Sequence, residues 1–244
     1  MRKPFSALML SAMLTLSLGS HAQPMLRIFE LGVQPGKQAQ FDEAARANLL
    51  ASVAGEPGTL AMHAASPQGD ANLAYLFEIY ADEAAYQAHT EGAPYKGYLQ
   101  KAPQLLGAHR KFIATEAQFL AEKPQPIHPD MHPDMPPDSG TPVMSFAQVL
   151  TQPNENAAFA QKVLPALQQA MQASPQLLAL YAGTAKDNPN QWFFIELHAQ
   201  PPAQPHAYLH AAQPLLQSQK ISPMQGRVLV SKGGLTFSRP AQGR

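Results

Sequence analysis

The sequence predicts an α+β protein made of two ferredoxin-like β-α-β-β-α-β units packed sheet to sheet within one chain. Three observations predict it. The chain repeats itself at a spacing of 118 residues, a proline-rich segment divides the copies, and the strands are apolar on both faces.

The repeat is carried by matched punctuation. Gln34-Pro35-Gly36 and Phe41 recur as Gln152-Pro153-Asn154 and Phe159. At the same offset Pro57 matches Pro175, Leu60 matches Leu178, Phe77 matches Ile195 and Glu78 matches Glu196. Ala85-Tyr86 recurs as Ala207-Tyr208 after a small insertion. Between the copies, residues 122–142 are rich in proline and acid and poor in large apolar side chains. Such a stretch buries too little surface to fold alone and reads as an extended linker. The domains are therefore 24–121 and 143–239.

In the first copy, Leu26–Val33 is rich in β-formers and stops at the Pro35-Gly36 turn. Residues 37–53 follow a helical period that puts Phe41, Ala45, Asn48, Leu49 and Ser52 on one face. Glu56-Pro57-Gly58 ends that helix. Thr59–Ala65 and Leu73–Tyr80 read as strands joined through Gly69-Asp70-Ala71-Asn72. Asp82 can cap a short helix carrying Tyr86 and His89, Tyr95–Lys101 adds another helical turn, and Ala108–Leu120 closes the unit as a long strand. The second copy is expected to repeat this plan, with Pro165 kinking its first helix.

The alternation within the third element sets the layers. Leu73, Tyr75, Phe77 and Ile79 face one way, Ala74 and Leu76 the other. A sheet apolar on both sides needs a second layer beyond its helices. The other copy supplies it, so the chain should be a pseudodimer in itself, with further association of whole chains left open.

The N-terminus has three parts. Arg2 and Lys3 precede an uncharged apolar run from Ala7 to Leu18, and Ser20-His21-Ala22 places small residues before a cut ahead of Gln23. Residues 1–22 therefore read as a cleaved signal peptide, and the mature protein as periplasmic or secreted. Without Arg2 and Lys3 the 17 basic residues become 15, against 17 acidic ones. That balance argues against nucleic acid or an anionic membrane surface as partner. The chain has no cysteine, which excludes disulfides and thiolate chemistry.

Asn48 and Ser52 share the core-facing stripe of the first helix, where polar groups must be bonded or line a wet cavity. His89 is the candidate acid/base group, because a neutral imidazole accepts a phenol or enol proton near neutral pH. Glu78, near a strand end, could orient it or bind substrate. Tyr75, Phe77 and Tyr95 are candidate contacts to an aromatic ligand, against the plainer reading of core aromatics. His206 and His210 stand at i, i+4, but no third ligand accompanies them, so no metal site is expected. The linker repeat His128-Pro-Asp-Met131, His132-Pro-Asp-Met135 offers copper ligands, against the plainer reading of a solvated linker.

Residues 33–41 (VQPGKQAQF), 45–60 (ARANLLASVAGEPGTL) and 78–98 (EIYADEAAYQAHTEGAPYKGY) resemble the antibiotic biosynthesis monooxygenase superfamily. The resemblance covers nearly all of 25–120. It implies a dimeric α+β barrel, here built into one chain, with a pocket between the sheet and helices of each unit. The residues matching the family's recurrent polar positions are Asn48, Ser52, Glu56, Glu78, His89 and Tyr95. Relatives often carry a second histidine where this chain has Pro94, and a threonine where it has Gly92. In the second copy Asn48 and Ser52 become Ala166 and Ala170, so that copy resembles a structural half. The only tryptophan, Trp192, lies there too, which argues against haem degradation.

The resemblance implies a cofactor-independent monooxygenase acting on a small phenol, quinol or enol in the N-terminal pocket. His89 would be the base, with Asn48 and Ser52 as anion-stabilising donors. The alternatives are a non-catalytic periplasmic binding or stress protein of the same fold, and an isomerase of small hydroxy-ketones using the same base.

Overall fold

The computed structural model describes residues 23–128 and 142–240. The expected signal peptide and linker residues 129–141 lie outside these.

The first copy runs β1 (Met25–Val33), α1 (Gln38–Gly55), β2 (Thr59–Pro67), β3 (Leu73–Tyr80), α2 (Glu83–Glu91), α3 (Ala93–Leu105) and β4 (Leu106–Glu122). The second runs β5 (Val143–Thr151), α4 (Asn156–Ala173), β6 (Leu177–Ala185), β7 (Gln191–His198), a 3₁₀ segment (Ala207–Leu215), β8 (Leu216–Ser231) and a short β9 (Thr236–Ser238). The first four elements of each copy coincide at the 118-residue offset. The turn into each first helix needs a left-handed residue, met by Gly36 (φ 77°) in one copy and Asn154 (φ 69°) in the other. Asp82 caps α2 by accepting from the Ala85 N–H at 2.8 Å.

The second copy departs from the plan after β7. Among the described residues no α-helix follows; the 3₁₀ segment replaces α2 and α3. Pro201, Pro202, Pro205 and Pro214 crowd this stretch and remove the N–H donors a longer helix would need. Pro165 does not stop α4, which continues to Ala173.

The two half-sheets close into one barrel. The strand order is β1-β3-β2-β8-β5-β7-β6-β4, with β4 returning to pair with β1 and β9 lying on β4's other register. Two long strands make the joints. β4 pairs with β1 up to Ala114 and with β6 from Thr115 onward. β8 pairs with β5 up to Met224 and with β2 from there to Ser231. Closure leaves the eight main strands without a free edge.

Three cores result. The barrel interior joins both halves through Leu26, Ile28, Phe77, Phe146, Tyr181 and Ile195. An outer core packs α1 and α3 on the N-terminal sheet through Phe41, Leu49, Val53, Leu76 and Tyr80, and takes Val228 and Val230 from β8. The C-terminal outer core centres on Phe159, Leu167, Trp192 and Phe194, and takes Phe119 from β4. Each half thus completes the other's helix layer.

The linker does not begin as free chain. Lys123 N–H donates to Leu178 O at 2.8 Å, and Ile127 is buried in the barrel core, its carbonyl accepting from the Ser231 N–H at 2.8 Å and its N–H donating to Ser231 Oγ at 3.4 Å. The apolar Ile127 side chain finds an open barrel end within reach, so residues 123–128 dock where composition alone predicted an extended linker.

Candidate functional site

The N-terminal helix layer holds a buried polar cluster. Along α1, Asn48 and Ser52 point inward at i, i+4, and Glu56, the residue that ends the helix, continues the row. The Ser52 hydroxyl donates to Asn48 Oδ1 at 3.4 Å. Glu56 Oε2 accepts from the Thr59 hydroxyl at 2.6 Å and from His89 Nδ1 at 2.9 Å. His89, on the last turn of α2, is 1% exposed. Its ring packs between Tyr80 (5.4 Å) and Tyr95 (5.1 Å).

The Glu56 contact fixes the imidazole. A carboxylate accepts only, so Nδ1 carries a proton, and in the neutral imidazole Nε2 then presents its lone pair. Nε2 has no partner, although it is buried. Glu56 Oε1, Tyr98 Oη and Arg27 Nε are likewise buried and unpartnered. Four of the five such atoms among the described residues therefore fall in this one layer. Buried polar atoms are normally bonded, so their concentration makes this layer the candidate site.

Gly92, a departure noted in the sequence, has a local cause. A Cβ there would come within 2.9 Å of Glu56 Oε1. The bare Cα lets the carboxylate lie against the start of α3, whose backbone N–H groups favour negative charge.

Glu78 stands on the same face, directly across the β1–β3 ladder from Arg27. Burial pushes its carboxyl up to about 7, opposed by the hydrogen bond from the Tyr80 hydroxyl at 2.8 Å. The Arg27 guanidinium lies over Tyr86 (5.1 Å) and Phe112 (5.5 Å) and reaches Glu83 at 3.3 Å. A cavity of about 220 Å³ opens between α1 and α3, lined among others by Asn48, Ala93, Gly97 and Tyr98. His89 is not in its lining.

The structure brings together Asn48 with Ser52, and His89 with Tyr95 and, through Tyr80, Glu78. It separates the rest. Tyr75 and Phe77 lie inside the barrel, on the opposite face of β3, where they stack with each other (6.0 Å) and against Phe146. They do not face the pocket. Glu78 does not orient His89; Glu56 does. Tyr98 and Arg27 join the cluster without having been singled out. Arg27 had one usable signal, since strand pairing opposite Glu78 puts both on the helix side.

The C-terminal counterpart is self-satisfied. Arg27, Glu78, Tyr80 and Tyr86 correspond to Ser145, Glu196, His198 and Tyr208. His206, in a left-handed conformation (φ 55°), fills that site. Its backbone N–H donates to both Glu196 oxygens, and its ring bonds Ser145 Oγ (2.9 Å) and Tyr208 Oη (2.7 Å). None of the unpartnered atoms falls there. His210 is exposed while His206 is buried, so the two histidines do not share one environment. Of the linker His/Met repeat only His128 lies within the described residues.

Residues 24–101 match the family model for antibiotic biosynthesis monooxygenase. Two solved structures match along nearly the whole length. A candidate monooxygenase from Lactobacillus acidophilus is 19% identical, with a TM-score of 0.77 over 88% of this chain and 100% of that one. Another from Fusobacterium nucleatum is 19% identical, with a TM-score of 0.79 over 90% of this chain and 99% of that one. At this identity the likeness is one of fold. No curated protein matches the sequence. Residues 24–101 thus match an antibiotic biosynthesis monooxygenase domain, and the whole chain has an α+β fold of two ferredoxin-like units closed into a single barrel, shared with both solved structures.

Proposed function

We propose that the N-terminal half is a cofactor-independent oxygenase site for a small phenol, quinol or enol, in a protein exported by its N-terminal signal. The observation that carries this reading is the buried Glu56–His89 pair with Nε2 unpartnered. The family match of residues 24–101 supports it.

The chemistry asks little of the protein. His89 Nε2 takes the substrate's hydroxyl proton while Glu56 stabilises the imidazolium that forms. The substrate anion reduces dioxygen, the two combine as a peroxide at carbon, and loss of water leaves a carbonyl. One oxygen atom enters the substrate, the other leaves as water, and the substrate supplies all the electrons. A hydroquinone so becomes a hydroxyquinone. Tyr98 and Asn48 line the cavity, and their hydroxyl and amide would hold the oxyanion.

One observation favours a second reading, ligand binding without turnover: His89 is 1% exposed and outside the cavity lining. Oxygen uptake by the purified protein across a panel of quinols and enols separates the two. The oxygenase reading expects uptake that His89→Ala abolishes. Binding of the same compounds without uptake would replace it with the second.

A further inference from the structure

We infer that Lys232, supplied by the C-terminal half, is a positioning residue for the Glu56–His89 pair. The inference rests on the base assignment above for its kinetic consequence, and on geometry alone for its structural one.

Helix α1 ends at Gly55 and has no basic residue in its last turn. Its terminal carbonyls therefore lack a cation of their own helix. Lys232, just beyond β8, places one at the two residues that follow the helix. Its Nζ donates to Glu56 O at 2.6 Å and Pro57 O at 3.0 Å, and its backbone N–H donates to Leu60 O at 2.9 Å. Toward the other end of α1, Arg227 of β8 binds both Asp42 oxygens (2.7 and 2.6 Å) and Ser66 Oγ (2.7 Å). The helix that carries Asn48, Ser52 and Glu56 is thus pinned toward both ends by one strand of the opposite half.

The fused fold duplicates the device but not its consequence. Lys123, just beyond β4, donates its Nζ to Met171 O at 2.7 Å near the end of α4, and its N–H to Leu178 O. Leu60 and Leu178 are repeat-related, so the two lysines are counterparts. At the C-terminal position equivalent to Glu56 stands Ser174, which has no carboxylate and accepts from the Leu177 N–H. Only Lys232 holds a helix end whose next side chain orients a histidine. Releasing the Glu56 and Pro57 carbonyls would free the backbone that aims the carboxylate between Thr59, His89 and Gly92. A drift of about 1 Å is enough to break such an alignment.

The test reads the His89 Nδ1 proton by NMR of protein labelled with ¹⁵N-histidine, the signal being identified by its loss in His89→Gln. In Lys232→Met its exchange with solvent should quicken about tenfold or more, and Lys232→Arg should restore part of the protection. Lys123→Met is the control: it removes the counterpart clamp and should leave this proton unmoved. Lys232→Gln, which keeps a donor without charge, gives the same reading should the methionine variant not fold. Exchange within about twofold of wild type in the Lys232 variants, or an equal change in Lys123→Met, overturns the inference. Where turnover is measurable, Lys232→Met should lower kcat about tenfold with KM nearly unchanged. If no compound is turned over, the function reading fails and the proton measurement still decides the role of Lys232.

Discussion

His63 and Tyr181 stack with ring centroids 5.7 Å apart, and they are the same position in the two halves. Repeat-related residues that touch lie on the pseudo-twofold axis, so this pair marks the middle of the barrel. The Tyr181 hydroxyl donates to Glu122 Oε1 at 2.5 Å and therefore accepts from His63 Nε2 at 3.1 Å. Nδ1 is left bare in an apolar core.

That arrangement makes the fold acid-sensitive. Burial lowers the His63 pKa to about 3, below the unfolded value near 6.5. A group depressed in this way adds stability above about pH 6.5, which is lost as the pH falls toward 3. Between pH 7 and pH 4 this histidine should cost roughly 3 kcal/mol. His63→Phe keeps the stack and removes the titration. Urea midpoints at pH 7, 5.5 and 4 should fall less steeply in the variant. His206, lowered by burial to about 4, adds a loss that both proteins share. Parallel curves would mean that His63 does not titrate in this window.

Glu78 runs the other way. Its folded value of about 7 lies above the unfolded 4.5, so the carboxyl holds its proton more firmly in the folded state. It favours the fold below about pH 4.5, and that advantage disappears as the pH rises through 7. Glu78→Gln should match wild type near pH 4.5 and exceed it by about 2–3 kcal/mol at pH 8. Equal stability at pH 8 would show that Arg27, its cross-strand neighbour, compensates the charge in full.

How far the sequence reached is set by which contacts are local. Matching punctuation, such as Gly36 with Asn154, made the duplication legible, and the strand periods gave the layers. The period also grouped Glu78 with Ala74 and Leu76, but it could not say which face carries the helices, because both faces are apolar. Tyr75 and Phe77 were therefore expected at the pocket and lie in the barrel. Glu56 read as part of a helix stop, since its bond to His89 spans 33 residues and exists only once α2 folds over β3. The joints at β4 and β8 depend on pairing between halves, which no single strand encodes. The match of Ala85-Tyr86 to Ala207-Tyr208 hid the loss of two helices.

Ile127 tests the docked start of the linker. It is 6% exposed and packs in the barrel core from a segment otherwise polar. Ile127→Ala should cost about 2–4 kcal/mol, the range for a truncated core isoleucine. Replacing 129–141 with Gly/Ser of equal length should leave the melting temperature nearly unchanged. A change below about 0.5 kcal/mol in the alanine variant would mean that the segment does not stay docked in solution.

Tyr98 should show the exchange between stability and function that a binding site implies. Its ring is buried in the N-terminal outer core, its hydroxyl is buried without a partner, and the residue lines the 220 Å³ cavity. An unmet hydroxyl costs about 1–3 kcal/mol, and phenylalanine removes it without changing the packing of the ring. Tyr98→Phe should therefore raise the melting temperature. Tyr98 also lines the cavity, so if its hydroxyl meets the ligand there the variant should bind phenolic ligands more weakly, by a factor of about 5 to 10 for one lost neutral hydrogen bond. The two effects have opposite signs, which distinguishes a ligand contact from a packing residue. A variant that is less stable than wild type would mean that water already satisfies the hydroxyl. A variant that is more stable and binds equally well would place the ligand elsewhere, and would move the oxyanion-holding role from Tyr98 to Asn48 alone.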